Sequence, residues 1–220
     1  MSSFDKRAVQ SRIGYAFDDP ELLERAFTHA SYINEHKGVA NERLEFLGDS
    51  ILDFLVGERL YIDNPTDDEG KLSEKRAALV SRKPLARIID SLGLMKYLLI
   101  GAGVDKRNFS EKNRSDLFES ILGAIYLDGG LDECRAFLDR NFYGKVVPEY
   151  DYKTQLQNRL IDAKLSAPTY ATAASNGGFT ATVHIGDKRF NGSGRSKHAA
   201  EISAAKSALE SMFGKKDNKT

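Results

Sequence analysis

The chain has 220 residues, of which 41% are hydrophobic and 29% are charged, as in a globular protein with one large domain or two modest ones. No apolar stretch approaches the roughly 18 residues that are needed to span a bilayer, and the N-terminus lacks the apolar segment of a signal peptide. The single cysteine, Cys134, cannot form an internal disulfide. These features argue against a membrane protein and a disulfide-rich secreted protein, and they predict a cytoplasmic location.

The formal net charge is zero, with 32 Lys and Arg against 32 Asp and Glu, which alone would argue against a nucleic-acid partner. The charges are unevenly distributed, however. From Tyr150 onward, 11 Lys and Arg stand against 6 Asp and Glu, a net charge of +5 that the first 149 residues balance with −5. An acidic part and a basic part are joined in one chain, and this asymmetry removes the argument against a nucleic-acid partner.

Residues 1 to about 145 are predicted to be helical, because apolar residues recur there at intervals of three and four. The predicted helices are Leu22–Tyr32, Leu44–Ile62, Leu72–Leu92 and Leu117–Leu127, separated by turn signals at Gly38, Asn64–Gly70, Gly101–Asn113 and Gly129-Gly130. Asn41 is predicted to cap the helix that begins beside it. No strand signal precedes Pro148.

After Pro148 the pattern changes to a helix, three short strands and a second, Ala-rich helix. The predicted elements are Tyr152–Lys164, Tyr170–Ser175, Phe179–Ile185, Lys188–Asn191 and Ala199–Met212. Hairpin turns are predicted at Asn176-Gly177-Gly178 and at Gly186-Asp187. This segment is therefore predicted to be a small α-β-β-β-α unit.

Acidic residues recur at helical spacing on two of the predicted helices. They are Glu42, Glu45 and Asp49 on the first, and Asp116 and Glu119 on the second, with Glu69 between them in the chain. Apolar residues surround both sets, and buried like charges are unfavourable unless a cation compensates them. Ligand sets made only of oxygen favour Mg²⁺ or Mn²⁺. The pattern predicts a metal site, and the alternative is that these acids face solvent and pair with Arg43, Arg59 or Lys75.

Other catalytic signatures are missing from the sequence. Cys134 has no histidine partner in the sequence, the four histidines lack a zinc spacing, and no Gly-x-Ser-x-Gly segment occurs. His29 is expected to have a structural role. A divalent ion would allow hydrolysis of a phosphodiester without a side-chain nucleophile.

Several ordered motifs resemble those of one known family. Asn41-Glu-Arg-Leu-Glu-Phe-Leu-Gly-Asp-Ser50 resembles the ribonuclease III signature at every position, and the segments Thr28–Tyr32, Asp68–Ser73, Ser115–Glu119 and Gly123–Leu127 resemble its other motifs. The C-terminal unit is similar to a double-stranded-RNA-binding domain at Lys153–Gln157, Pro168–Tyr170 and Gly192–Lys197. The resemblance to bacterial ribonuclease III implies two domains: an all-α catalytic domain at 1–147, followed by a small α+β double-stranded-RNA-binding domain at 151–214.

The resemblance also implies roles for individual acids. Glu45, Asp49, Asp116 and Glu119 would ligate Mg²⁺, for which Mn²⁺ would substitute, and Asp49 and Glu119 would be the residues most needed for catalysis. Glu42 and Glu69 match auxiliary acidic positions. The implied reaction is hydrolysis of double-stranded RNA that leaves 5′-phosphate and 3′-hydroxyl ends with short 3′ overhangs, in the processing of ribosomal and messenger RNA.

Phe46 matches an aromatic residue that inserts into the partner subunit, which implies a homodimer; the alternative is that Phe46 packs in the core of its own chain. Two other readings of the whole chain stay open at this point. One is a non-catalytic double-stranded-RNA-binding protein that retains the nuclease fold. The other is a structural helical protein whose acids lie on the surface.

RNA contacts are predicted at the start of the last helix and on the first helix of the C-terminal unit. Arg195, Ser196, Lys197 and His198 precede or begin a helix whose N–H groups and dipole favour phosphate, and by resemblance Gln157 reaches the minor groove. Three features depart from the family: the first hairpin lacks the Gly-Pro-x-His loop, His198 replaces a basic residue, and Asn158 replaces a glutamate. Weaker binding to the RNA duplex is therefore expected.

Overall fold

A computed structural model describes residues 4–105 and 109–214, and the chain divides into two compact units between Glu149 and Tyr150. The described part of the first unit is helical apart from a single bridge between Thr28 and Leu99. The second unit consists of a helix, a three-stranded antiparallel sheet and a helix. The predicted fold class is therefore confirmed.

The first unit contains seven α-helices in its described residues, with a short 3-10 turn at Met95–Tyr97. The helices are α1 (Lys6–Ile13), α2 (Pro20–Ala26), α3 (Ala30–Ile33), α4 (Glu42–Asp63), α5 (Glu69–Val80), α6 (Arg82–Leu92) and α7 (Glu111–Asn141). Their apolar faces enclose one core, in which aromatic rings of α7 and Phe27 of the α2–α3 connection are fully buried. Burial on this scale is the main source of stability for a helical domain.

Two of the predicted helices are each divided in the structure. The predicted helix Leu22–Tyr32 is interrupted because His29 donates its backbone N–H to the Leu99 carbonyl (3.0 Å), as part of the bridge to that segment. The predicted helix Leu72–Leu92 is interrupted because Ser81 adopts an extended conformation. The first interruption depends on a tertiary contact and the second on the backbone angles of one residue. The spacing of apolar residues predicts neither of them.

Asn41 does not cap α4 with its side chain, contrary to the prediction. The residue occupies the N-cap position, but its buried amide instead donates to the Ala26 carbonyl at 3.4 Å. The predicted break at Gly129-Gly130 is confirmed, because Gly130 has non-helical backbone angles, with φ 79°, and a kink there divides α7 into two helical segments, the second of which ends at Asn141. The predicted break at Gly101–Asn113 lies partly outside the described residues.

Helices α4 and α7 cross with their backbones in contact, and two glycines allow this close approach. A Cβ atom on Gly48 of α4 would overlap the backbone carbonyl of Glu119, and a Cβ atom on Gly123 of α7 would overlap the carbonyl of Leu44. Any other residue at either position would push the helices apart. The crossing sets the two predicted acidic helices against each other.

The second unit is built from α8 (Tyr152–Asp162), β1 (Thr169–Ser175), β2 (Gly178–Ile185), β3 (Lys188–Gly194) and α9 (Lys197–Phe213). The strands pair in the order β1-β2-β3, with Ser175 opposite Gly178 in the first hairpin. One face of β2 packs against α9 through fully buried alanines of that helix. None of the helices described in either unit is long and apolar enough to cross a membrane.

Candidate active site and RNA-binding surface

The acidic residues of α4 and α7 meet where the two helices cross. Glu45 lies one turn before Gly48, while the Glu119 carbonyl of α7 lies against this glycine and Asp116 lies one turn before Glu119. One carboxylate oxygen from each of Glu45, Asp116 and Glu119 lies within 4.8 Å of the others. Acidic residues that are far apart in the sequence therefore form a single cluster of negative charge.

Asp49, the fourth predicted ligand, lies beside this cluster but outside its closest group. It is exposed on α4, and its charge is the second largest cause, after burial, of the raised pKa of Glu119. Partial desolvation of its carboxylate and then the charge of the neighbouring Asp53 raise the pKa of Asp49 itself. The structure thus brings three of the four predicted ligands together, with Asp49 at the edge.

Mutual repulsion and partial burial disfavour the charged form of the clustered carboxylates. Burial, followed by the charges of Asp49, Asp116 and Glu45, raises the pKa of Glu119 to about 8. Burial and then the charge of Asp116 raise the pKa of Glu45. A divalent cation would relieve both effects, because it favours the charged form of each carboxylate.

A lysine that was not among the predicted site residues contacts this cluster. Lys112 on the first turn of α7 donates to Asp116 Oδ2 at 2.6 Å, and its Nζ lies 3.8 Å from Glu45 Oε1. The hydrogen bond with Asp116 is the main cause that raises the pKa of Lys112. The spacing of four between Lys112 and Asp116 was the available signal.

Two of the cations considered as alternative partners for the acids lie elsewhere. Arg59 pairs with Asp63 at 2.6 Å, and Lys75 pairs with Asp67 at 2.6 Å. Arg43 is exposed on α4. The alternative of ordinary surface ion pairs with Arg59 or Lys75 therefore does not describe these acids.

The two auxiliary acids differ in their positions. Glu42, exposed in the first turn of α4, contributes to the raised pKa of Glu45. Glu69, exposed at the start of α5, accepts a hydrogen bond from the Ser73 hydroxyl at 3.0 Å and lies outside the close carboxylate group. His29 caps α3 by accepting from the Ser31 N–H at 3.1 Å.

Phe46 lies on the outer face of α4, one residue after Glu45. Its side chain is 76% exposed, so it does not pack in the core of its own chain. Phe54 and Tyr61 on the same helix are also exposed, at 53% and 74%. An exposed row of aromatic residues on one helix is typical of an interaction surface.

The predicted RNA contacts lie together at the start of α9. Arg195, Ser196, Lys197 and His198 are all exposed, and the Ser196 hydroxyl caps the helix by accepting from the Ala199 N–H at 3.1 Å. This places Ser196 in a structural role that the sequence analysis did not distinguish from RNA contact. Gln157 is exposed on α8.

Two glycines of β3 hold this helix start against the sheet. A Cβ atom on Gly192 would overlap the Ala204 backbone nitrogen, and one on Gly194 would lie 2.6 Å from the Ala200 nitrogen. Lys153 of α8 pairs with Glu201 of α9 at 2.7 Å, which joins the two helices. The glycines in the segment before Lys197 therefore serve packing, and the polar residues between them remain exposed.

The first unit thus carries an acidic helical centre, and the second is a basic α-β-β-β-α unit. A family model described as ribonuclease-III-like matches residues 19–146, and one described as the double-stranded RNA binding motif matches residues 152–212. The chain belongs to the ribonuclease III family of double-stranded-RNA endoribonucleases.

Similarity to individual relatives extends over nearly the whole chain. The chain is 39% identical to ribonuclease 3 of Bdellovibrio bacteriovorus, in an alignment that covers 94% of this chain and 96% of that protein. It is also 39% identical to ribonuclease 3 of Dehalococcoides mccartyi, covering 97% and 99%. The solved nuclease domain of Campylobacter jejuni ribonuclease III is similar at 36% identity and a TM-score of 0.60, covering 64% of this chain and 98% of that domain.

Proposed function

We propose that this chain is a divalent-metal-dependent, homodimeric endoribonuclease that hydrolyses phosphodiester bonds of double-stranded RNA. The single observation that carries the proposal is the convergence of carboxylate oxygens from Glu45, Asp116 and Glu119 within 4.8 Å at the α4–α7 crossing. Three carboxylates this close create a strong demand for a cation. The catalytic role proposed for Asp49 and Glu119 follows from their position in the same charge cluster.

The donor set fits a hard divalent cation. All three close ligands are carboxylates, and the buried Cys134 forms its hydrogen bond with the Leu122 carbonyl. Glu45, Asp116 and Glu119 would hold Mg²⁺, or Mn²⁺ in its place, and Asp49 would complete the acidic surroundings. When bound, such an ion lowers the pKa of water and neutralises charge on a phosphate.

The packing of α4 against α7 would hold the carboxylates in place for this chemistry. Rigid backbone contact at Gly48 and Gly123 fixes the carboxylates of two helices relative to each other. In the proposed hydrolysis, water attacks phosphorus and the bond to the 3′-oxygen breaks, which leaves a 5′-phosphate and a 3′-hydroxyl. Glu42 and Glu69, both exposed, are proposed to assist substrate positioning near this centre.

The C-terminal unit is proposed to hold the RNA duplex through its phosphate backbone. Arg195, Lys197 and His198 are exposed at the start of α9, where the helix dipole adds to their attraction for phosphate. Gln157, exposed on α8, is proposed to contact the minor groove. Because A-form RNA presents phosphates and 2′-hydroxyls, such recognition depends on shape more than on sequence.

The proposed homodimer is supported by the exposed aromatic residues of α4. Phe46 at 76% exposure would insert into the partner subunit and bury its ring there. The Campylobacter jejuni nuclease domain has been described as flexible in a region involved in dimer formation. Two active sites in a dimer would cut both strands, and an offset between the cuts would leave short 3′ overhangs.

The proposed substrates are double-stranded segments of ribosomal RNA precursors and of messenger RNA. Both would be met in the cytoplasm, a location that the lone, buried Cys134 also favours. The basic C-terminal unit supports a duplex substrate without selecting a particular transcript.

An end-labelled RNA duplex incubated with and without Mg²⁺ tests this function. We expect Mg²⁺-dependent cuts on both strands, offset to leave 3′ overhangs, and their loss in Glu119→Ala. Asp132→Ala is a matched control because its side chain on α7 is 99% exposed and pairs only loosely with Arg135 at 3.5 Å. Binding without cleavage under every metal condition would instead identify a non-catalytic double-stranded-RNA-binding protein.

A further inference from the structure

Lys112 supplies a positive charge to the carboxylate cluster from within the chain. Its Nζ lies 2.6 Å from Asp116 Oδ2 and 3.8 Å from Glu45 Oε1, so a single ammonium contacts two of the three close carboxylates. The side chains of Asp116 and Glu45 are only 17% and 28% exposed, whereas that of Lys112 is 53% exposed. The lysine therefore reaches from the protein surface into a partly buried acidic site.

The position of Lys112 on its helix is unfavourable apart from this contact. It is the second residue of α7, in the first turn, where the helix dipole is positive and a cation is disfavoured. Arg82, at the start of α6, is a further positive charge near the lysine. Attraction to the carboxylates is the interaction that compensates for both repulsions.

We propose that Lys112 is an internal counter-cation of the carboxylate cluster, which a divalent ion must displace from Asp116 and Glu45 in order to bind. This inference rests on the proposed metal site and assigns the chain a residue that sets how tightly that site holds its ion. Lys112 is a positioning residue in this role, because it acts through the carboxylates.

Displacement follows because the ammonium and a divalent ion would compete for the same two carboxylates. The ammonium contacts an oxygen of Asp116 and lies near one of Glu45, and these are two of the three residues whose carboxylate oxygens come within 4.8 Å of one another. An ion coordinated by Glu45 and Asp116 would be repelled by an ammonium that stayed in place. On leaving the acids, the flexible lysine stem would return its ammonium to solvent at the surface of α7.

Mg²⁺ binding to the RNA-free full chain, measured by calorimetry, tests the inference. We expect Lys112→Met to bind Mg²⁺ about threefold to tenfold more tightly than the wild type, and Lys112→Arg to remain within about twofold of it. Lys6→Met is the matched control, since it removes a lysine paired with Glu24 at 2.9 Å on a different helix. Unchanged affinity in Lys112→Met would overturn the inference.

A second measurement separates displacement from simple charge repulsion. The rate at which an amine-acylating reagent labels Lys112, read by mass spectrometry, should rise when Mg²⁺ is added, while labelling of Lys6 stays constant. A rate at Lys112 that is unchanged or slower with Mg²⁺ would show that the ammonium is not released. Failure of the wild type to bind Mg²⁺ or Mn²⁺ at all would instead contradict the proposed function, so the two ideas fail separately.

Discussion

Gly48 of α4 lies directly against the backbone carbonyl of Glu119 on α7, so closely that a Cβ atom at Gly48 would overlap the carbonyl oxygen. This contact joins a residue of the predicted signature segment to a predicted metal ligand. It explains why a glycine occupies the middle of a long helix, where glycine is otherwise unfavourable by about 0.5–1 kcal/mol. The geometry of the carboxylate cluster therefore depends on a residue with no side chain.

Gly48→Ala is expected to destabilise the protein by about 1–3 kcal/mol, because the added methyl group forces two packed helices apart. It should also weaken Mg²⁺ binding, since Glu45 and Glu119 would separate. Gly57→Ala on the same helix is the control: a Cβ atom there would lie 3.9 Å from Arg76, and removal of a helical glycine should stabilise the protein by about 0.5–1 kcal/mol. Urea unfolding measures the stability of both variants, and equal changes in their free energies of unfolding would contradict this role for Gly48.

Local patterns predicted most of the C-terminal unit correctly. Both hairpin turns contain a glycine with positive φ, Gly177 at 83° and Gly186 at 56°, and these glycines are also visible in the sequence. The acidic helices were likewise predicted from spacing, since i, i+3 and i+7 place side chains on one face whatever lies around them. Features that depend only on neighbours in sequence were therefore accessible.

The remaining features depend on contacts between distant segments. The bridge between Thr28 and Leu99 divides a predicted helix, and the Ala26 carbonyl draws the Asn41 amide away from the helix that it was expected to cap. Lys112 was overlooked because its importance arises from Glu45, a residue 67 positions earlier on another helix. No single helical pattern contains that information.

Glu119 should make the stability of the metal-free protein depend on pH. Its folded-state pKa of about 8 lies above the usual 4.5, so the stability linked to its proton is fully present below pH 4.5 and is lost as pH rises through about 8. Glu119→Gln should therefore leave stability nearly unchanged at pH 5 and raise it by about 1–3 kcal/mol at pH 9. Thermal unfolding in EDTA measures this.

Asp132→Asn is the control for this pair of measurements, because replacing a 99% exposed side chain should change the free energy of unfolding little. At pH 9, saturating Mg²⁺ should make the wild type more stable than Glu119→Gln, because only the intact cluster would be stabilised by binding the ion. A Glu119→Gln variant that gains equally at both pH values would contradict the assigned pKa shift.

Phe46→Glu should convert the proposed dimer to a monomer without unfolding the chain. The ring is 76% exposed in a single copy, so its loss removes little from the core, whereas a buried charge in a dimer interface is strongly unfavourable. Sedimentation velocity measures the mass, and circular dichroism checks the fold. Ile161→Glu, at a 63% exposed apolar residue of α8, should leave the mass unchanged; a dimer that survives in Phe46→Glu would exclude this contact.

Lys197→Gln should weaken binding to RNA duplexes of any sequence and reduce the slope of log affinity against log salt concentration by about 1. The reason is the loss of one phosphate contact that is proposed for Lys197 at the start of α9. Fluorescence anisotropy measures binding, in a Glu119→Gln background that prevents cleavage. Lys188→Gln, at an exposed residue that begins β3, is the control, and equal losses in both variants would argue for general electrostatic attraction.

The short connection between β1 and β2 should limit how much of the duplex the C-terminal unit contacts. Ser175 pairs with Gly178, so only Asn176 and Gly177 form the turn, where the resemblance leads one to expect a longer Gly-Pro-x-His loop. A two-residue turn holds its tip close to the sheet and leaves little chain to enter a minor groove. The lower affinity expected from the sequence thus has a structural basis in the length of this turn.

Replacement of Asn176-Gly177 by a longer loop that contains Gly-Pro-x-His is expected to tighten duplex binding about threefold to tenfold. A loop of equal length made of glycine and serine is the matched control, because it adds reach without donors to the minor groove. Anisotropy titrations in the Glu119→Gln background compare the three chains at one salt concentration. Equal affinity for all three would mean that the contacts of α8 and α9 already account for binding, and that the short turn costs this enzyme nothing in recognition of RNA.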